Sequence, residues 1–377
     1  FDNEVSYGNG GIHSVYSPDI SSKKPPALYV ESDDEWCLFN VDASSYYPSL
    51  MIQLKLLSRA VEDPQGFIDI FDERIGLKHV LNPTEEQIAW QKADKLVLNT
   101  TFGASGNKWL DLYDPYMCTS VCRVGQIFLT ALAFRLTGIV PDLKIIQTNT
   151  DGILAYCRRK DLYLVEKCMK EWTATSGINM EMDHVEKIWQ RDVNNYLMVE
   201  DGGKIKKKGG WLQDTYLHPG YVTVGALTGF VSAKAVKDYL LSGKNIVSSI
   251  LNCTDIRDFA ISCNKGRFHG VVQRLANGDE KELFKCNRVL ASKTLDTGMV
   301  YKYYQVPNGR RLYKKMSNVP EHCKLINFAL DDSDFNEIKK DLDYEYYIDR
   351  AKDMLDIKWM HLAGKDLFET HQFDFQR

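Results

Sequence analysis

The sequence predicts an α+β fold, and three observations carry that prediction. Short apolar runs, above all WCLFNV at 36–41, suit buried strands. Two stretches, 64–80 and 84–102, space their apolar residues for helices, and the second opens on a capping-box pattern of Thr84 with Gln87. LKIIQTNTDGILAYC at 143–157 reads as two strands around a tight Asn149-Thr150 turn. With 377 residues, 44% of them hydrophobic, the chain can build one large core or two to three packed subdomains.

Taken in order, SPDISSKKPP at 17–26 reads as a loop. The 36–41 strand delivers Asp42 at its end, and Pro48 sits early in a helix, YYPSLMIQLKL. Phe67, Ile70, Phe71, Ile75 and Leu77 form a helical stripe that breaks at Asn82-Pro83. A third helix is predicted over about 115–137, before the hairpin. From about 210 the chain mixes helix and strand, with no repeat and no low-complexity tract.

Net charge is −4, from 47 basic and 51 acidic side chains, so any affinity for nucleic acid has to arise locally. The charge is segregated: residues 281–315 hold nine Lys/Arg against two Asp/Glu, and residues 331–377 hold seven against thirteen. Nine cysteines occur without a CxxC pair, which points to reduced thiols and a cytoplasmic setting rather than to zinc or disulfides. No run of about 18 apolar residues is evident, so no membrane span is predicted. The chain begins at Phe1, without a methionine or a signal-like leader, and reads as a fragment or processed piece.

Asp42 ends an apolar strand ahead of a helix, and Asp151 follows a tight turn between two apolar strands. An aspartate beside a turn is ordinarily a turn former. If the two strands are neighbours in one sheet, however, both carboxylates emerge at the same edge. Two carboxylates so placed could hold the pair of Mg²⁺ ions, about 3.5–4 Å apart, that phosphoryl transfer uses. Arg74 and Lys78 are one helical turn apart, as are Lys95 and Asn99, so two antiparallel helices would present three cations to one space. Lys92 competes with Lys95 for that role.

Three segments in order carry a resemblance. VDASSYYPSL at 41–50 resembles motif A of family B DNA polymerases, Lys95 to Gly103 (KLVLNTTFG) resembles motif B, and NTDG at 149–152 resembles motif C. The resemblance spans roughly residues 7–210, and its wording looks most like bacteriophage members. It implies a right-hand polymerase, with an RRM-like antiparallel palm sheet, short two-helix fingers and a mixed thumb. The domains would be 1–60 (N-terminal segment and palm), 61–108 (fingers), 109–210 (palm) and 211–377 (thumb and C-terminal extension). Asp42, Asp151 and Lys95 would be catalytic. Asp42, Asp151 and the carbonyl of Ala43 would hold two Mg²⁺, with Mn²⁺ as an alternative. Ser45, Tyr46, Tyr47, Arg74, Lys78, Lys95 and Asn99 would bind the nucleotide, with Tyr47 under the sugar as the steric gate.

Tyr7, Gly10, Gly11, Gly103, Tyr196, Lys206 and Lys208 would contact DNA, the last three by likeness to the family's K-K-x-Y element and the basic strand after it. Lysines there would position the duplex through its phosphates. The 281–315 stretch would lie in the thumb. The implied partners are primer-template DNA and deoxynucleoside triphosphates, with a separate exonuclease, a clamp or another replisome protein as further candidates. Two departures stand out: Asn149 replaces the first aspartate of motif C, which removes a negative charge, and Gly152 replaces serine, which suggests a looser hairpin. Asp2 and Glu4 have the D-x-E spacing of a proofreading site, but too few residues surround them to build that domain, so no exonuclease is expected in this chain. Reverse transcriptases lack the K-x-x-x-N helix, which argues against them. The rival class is a catalytically weak or inactive DNA-binding subunit.

Overall fold

The computed structural model describes residues 3–8, 10–17, 26–214, 229–294, 297–317, 319–327, 332–363 and 367–371. Asp2 and most of the 17–26 loop lie outside them. The α+β expectation holds. In chain order the elements are β1 (Val5–Gly8), β2 (Gly11–Val15), β3 (Ala27–Glu31), β4 (Trp36–Ala43), α1 (Tyr46–Gln53), α2 (Pro64–Lys78), α3 (Glu85–Ser105), α4 (Pro115–Ile139), β5 (Lys144–Asn149), β6 (Gly152–Arg158), α5 (Leu162–Ser176), β7 (Met180–Asp192), β8 (Asn195–Glu200) and β9 (Lys204–Lys208). There follow α6 (Phe230–Ser242), α7 (Ile246–Leu251), β10 (Ile261–Asn264), β11 (Gly270–Arg274), β12 (Glu280–Glu282), β13 (Cys286–Ala291), β14 (Met299–Gln305), β15 (Arg311–Lys315), β16 (Cys323–Leu325), α8 (Asp332–Asp341), α9 (Tyr344–Leu355), β17 (Trp359–Ala363) and β18 (Leu367–His371).

Contact density divides the chain into two compact units. The first takes the chain up to Val193 with Met198–Lys206 and Met360–Glu369. The second takes Asn194–Leu197 and Lys207–Trp359.

The first unit is built on an antiparallel sheet ordered β1-β2-β5-β6-β4-β7-β3. Strand β4 lies between β6 and β7, with Phe39 opposite Ala155 on one side and His184 on the other. Six of its eight residues are apolar and buried, as a strand covered on both faces requires. Leu50 and Met51 of α1, Leu129 and Leu132 of α4 and Val165 of α5 join Phe39, Val41, Ile145 and Ile153 of the sheet in one buried cluster. No such apolar span was predicted, yet α4 is long and apolar enough to cross a membrane by length and composition. Of its buried residues, Val121, Leu129, Leu132, Ala133 and Leu136 lie in that cluster. All nine cysteines are free, and Cys37 and Cys157 face each other across β4 and β6 with Sγ atoms 4.0 Å apart.

The second unit holds a three-stranded sheet, β10-β13-β16, and a four-stranded one, β12-β11-β14-β15. The basic 281–315 stretch runs through both, with Arg288 on β13 of the former and most of its other basic strand residues on the latter. Register puts Lys281, Lys302 and Lys314 on one face. Arg311 and Lys315 lie on the other, paired to Glu282 and Glu321. Helix α9 supplies Tyr347, which is fully buried. Its hydroxyl accepts from the Ala291 N–H at 3.0 Å and donates to the Phe259 carbonyl at 2.7 Å, while its ring meets Phe259 edge-on. One phenol therefore satisfies two buried main-chain groups from separate elements.

Tyr347→Phe would leave both groups unpaired in an apolar setting. It is expected to cost about 1–3 kcal/mol of stability. Urea denaturation should show a lower midpoint with an unchanged slope; an unchanged midpoint would refute this role for the hydroxyl.

Candidate active site

Asp42 is the penultimate residue of β4, directly opposite Gly152 of β6 and Glu181 of β7. The hairpin between β5 and β6 turns one residue later than the sequence suggested. Asn149 still pairs with Gly152, and the loop is Thr150-Asp151, so Asp151 sits in the turn rather than after it. Both carboxylates thus stand at one end of adjacent strands. The Ala43 N–H donates to the Asp151 carbonyl at 3.0 Å and ties the two strand ends together.

Thr150 adopts a left-handed conformation, φ 59°, which is costly for a β-branched residue. Its N–H donates to the Ile12 carbonyl at 3.0 Å, and Gly11 packs beneath it. A Cβ on Gly11 would lie 2.7 Å from the Thr150 Cα, and Gly11 itself has φ 130°. The glycine expected to admit the template therefore faces the turn that carries Asp151. Gly152 also differs from the expected loose hairpin. A Cβ there would lie 2.0 Å from Asp42 Oδ1, so the missing side chain is the space that the Asp42 carboxylate fills. Asn149 donates from Nδ2 to the Val193 carbonyl at 3.3 Å, a bond that an ionised aspartate could not make.

Burial and the charge of Asp151 together push the Asp42 carboxyl up to about 6, with Lys206 and a bond from Asn40 opposing them and Asp183 adding to the rise. A partly desolvated Asp42 carboxylate, repelled by the exposed Asp151, forms a site that gains from a cation. Among the described residues no group of three His, Cys, Asp or Glu is close enough to cage a metal. Two carboxylates and a main-chain carbonyl fit Mg²⁺, which is ordinarily held by one or two carboxylates with substrate oxygens and water completing the shell.

The facing wall comes from α2 and α3. Asp63 caps α2 by accepting from the Gln65 N–H at 2.9 Å, with Pro64 at the first turn. The predicted capping box opens α3: Gln87 N–H donates to Thr84 Oγ1 and Thr84 N–H to Gln87 Oε1. Arg74 is buried and donates to Ser45 Oγ, and its Nε has no partner. Burial lowers its pKa, and the charges of Glu181 and Asp94 oppose that. Lys78 donates to Ser44 Oγ at 3.1 Å and to both Glu181 oxygens at 2.6 and 2.5 Å. Lys95 and Asn99 lie on the exposed side of α3. Together with Asp42, Ala43, Ser45, Tyr46, Tyr47, Arg74, Lys78, Asp151 and Glu181 they line one cleft of about 220 Å³, which Lys92 does not reach.

Tyr47 stacks on Phe102 of α3 with centroids 4.4 Å apart, and its buried hydroxyl has no partner. Tyr46 is a core residue. Its hydroxyl donates to the Gly125 carbonyl of α4 at 2.5 Å, and a Cβ on Gly125 would touch its ring. Only its main chain is available to a ligand.

The residues expected on DNA stand on several elements. Tyr7 is half exposed, with its hydroxyl 3.2 Å from Thr130 Oγ1. Gly10 and Gly103 have open space where a Cβ would stand. Tyr196 is buried in β8, whereas Lys208 is exposed on β9. Lys206, also on β9, lies 3.5 Å from Glu200, and its charge reaches Asp42. The reading of the sequence missed Glu181, Asp94 and Asp183. Glu181 and Asp183 alternate with methionines in MEMD at 180–183, a strand signal that gives no register, and Asp94 lies one residue before the motif lysine.

No family model matches the sequence. It is 28% identical over 121 residues to DNA polymerase 1 of Sulfolobus acidocaldarius, which is 32% of this chain and 13% of that protein. It is 23% identical over 299 residues to DNA polymerase 1 of Saccharolobus solfataricus, which is 76% of this chain and 29% of that protein. The chain thus spans less than a third of the length of these curated relatives. A solved structure of the family B DNA polymerase from Pyrobaculum calidifontis aligns with a TM-score of 0.45 and 14% identity, over 90% of this chain and 48% of that one. The similarity to DNA polymerases is distant.

Because folding raises the Asp42 pKa, the charged carboxylate opposes folding at neutral pH, and stability rises as pH falls through about 6. Asp42→Asn should therefore stabilise the metal-free protein at pH 7.5, by about 1–3 kcal/mol. The gain should vanish toward pH 4. Thermal melts across that range check it, and a destabilised variant at pH 7.5 would refute the repulsion.

Proposed function

We propose that this chain is the catalytic core of a template-directed DNA polymerase of family B, and that it adds deoxyribonucleotides to a primer 3′-OH. One observation carries the reading: Asp42 and Asp151 stand at one end of adjacent strands, facing a cleft whose other wall presents Arg74, Lys78 and Lys95. Carboxylates opposite cations across a cleft suit a substrate that brings metal-bound phosphates. The distant similarity to archaeal DNA polymerases supports the same reading.

Asp42, Asp151 and the Ala43 carbonyl would hold two divalent ions, which when bound would activate the 3′-hydroxyl and neutralise the departing pyrophosphate. Arg74, Lys78 and Lys95 would bind the triphosphate oxygens through charge-assisted hydrogen bonds. The main-chain amides of Ser45, which precedes α1, and of Tyr46, its first residue, add donors of the kind that bind phosphate. Phe102 holds the Tyr47 ring by stacking, and a ring fixed in that way would close off the space that a 2′-hydroxyl needs. Asn99, one turn after Lys95, completes the α3 wall. In this reading the first unit supplies palm and fingers and the second supplies the thumb, with Lys206 and Lys208 on the duplex phosphates. The likeness to phage members, Mn²⁺ as a substitute ion and a cytoplasmic site of action belong to the same proposal.

Primer extension with Mg²⁺ tests it. Asp151→Ala should lower extension at least about a hundredfold while primer-template binding stays near wild type. No extension by the wild-type chain under any metal would favour a DNA-binding subunit instead.

Tyr47→Ala should lower the ratio of kcat/KM for deoxyribonucleotides over ribonucleotides at least about tenfold, whereas Tyr47→Phe should leave it nearly unchanged. An active Tyr47→Ala enzyme with wild-type sugar preference would make Tyr47 a packing residue. Tyr46→Ala would instead empty a core site, at a cost of about 3–5 kcal/mol.

A further inference from the structure

Glu181 stands where a polyanion would bind. It lies directly opposite Asp42 on the neighbouring strand, and so projects from the same face of the sheet. Like charges opposite each other in a sheet are unfavourable, so a carboxylate in this position needs a compensating partner. That partner is Lys78. An ammonium has three N–H donors, and those of Lys78 are matched by Glu181 Oε1, Glu181 Oε2 and Ser44 Oγ. The Glu181 charge also acts on Arg74. By contrast Lys95, on the same cleft, has no hydrogen-bond or ion partner among the described residues.

We propose that Glu181 is a displaceable latch: it occupies the phosphate cradle of the nucleotide-free protein and must yield Lys78 before a triphosphate can seat fully. This rests on reading the cleft as a triphosphate site. The two cations then have different tasks. Lys95 is open and makes the first contact, whereas Lys78 is gained only by a ligand with enough charge to outcompete a bidentate carboxylate. A triphosphate does so more readily than a mono- or diphosphate, so the latch favours the substrate over its shorter analogues. After the reaction the carboxylate recaptures Lys78 and helps to expel pyrophosphate. The ion pair is about one-third exposed on each side, so the latch is weak enough to open on every cycle.

The test uses inorganic tripolyphosphate as probe, bound to the metal-free protein at fixed ionic strength, with wild type, Glu181→Gln, Lys78→Gln, the double variant and Lys95→Ala. The latch predicts that Glu181→Gln tightens binding by about threefold to tenfold in the wild-type background, and by clearly less in the Lys78→Gln background. An equal gain in both backgrounds would reduce Glu181 to general repulsion and overturn the latch. Weaker binding by Glu181→Gln would overturn it too. Nucleotide kinetics add an independent reading: KM should fall, with kcat held back by pyrophosphate release. A kcat loss restored by higher Mg²⁺ would instead make Glu181 a metal ligand. Failure of the underlying site reading looks different: Lys95→Ala and Lys78→Gln would then bind tripolyphosphate as wild type does. Thermal melts of each variant confirm folding, and Glu181→Ala serves where the amide keeps a bond to Lys78.

Discussion

Asp42 and Asp151 repel each other at the end of a buried sheet, and much of the first unit is arranged around that repulsion. The repulsion exists because register places both groups at one strand end, and Asp42 feels it most because burial strips water from that carboxyl. It is tolerated because the backbone makes room. Gly152 gives its side-chain space to the Asp42 carboxylate, Gly11 lets β2 run directly beneath Thr150, and the Ile12 carbonyl holds Thr150 in a conformation that it would otherwise leave. Two glycines on different strands thus serve one turn. Both are dictated by close approach rather than by flexibility, which is why a looser hairpin was the wrong expectation at Gly152.

Local signals were legible in the sequence. The capping box at Thr84, the strand ending near Asp42 and the 115–137 helix are all found within a few residues of their predicted bounds. Each depends on chemistry within one turn or one strand, so a linear reading can find it. Quantities set by register and burial were not legible. The turn moved from Asn149-Thr150 to Thr150-Asp151, because strand pairing rather than the residue types fixes which two residues are left over. Tyr46 and Tyr196 look in the sequence like any other tyrosines near a site, yet both are buried. Glu181 escaped notice because its importance comes entirely from lying opposite Asp42 and beneath Lys78, residues 139 and 103 positions away along the chain. By themselves α2 and α3 bury little surface.

That last point bears on how the cleft can work. Among the described side chains of α2, only Phe67 and Arg74 are buried, and α3 buries Asp94, Leu98, Ala104 and Ser105, the last two at its final turn. Leu81 before α3, and Trp90, Leu96 and Val97 along it, remain exposed. A helix pair with so few buried apolar contacts belongs to the low-stability end of a fold, where local opening costs little. Beside the packing of Phe67, Leu98 and Phe102 on the core, its position is set by polar contacts at one end, Arg74 to Ser45 and Lys78 to Ser44 and Glu181. These are the groups that a phosphate would claim. A ligand that replaces them with its own oxygens removes the contacts that fix the helices and supplies new ones in the same step. The equilibrium position of α2 and α3 therefore has to depend on what fills the cleft, by the difference in free energy between the two sets of bonds. A pair anchored by an extensive apolar core would not respond in this way, because its position would be decided by packing that no phosphate touches.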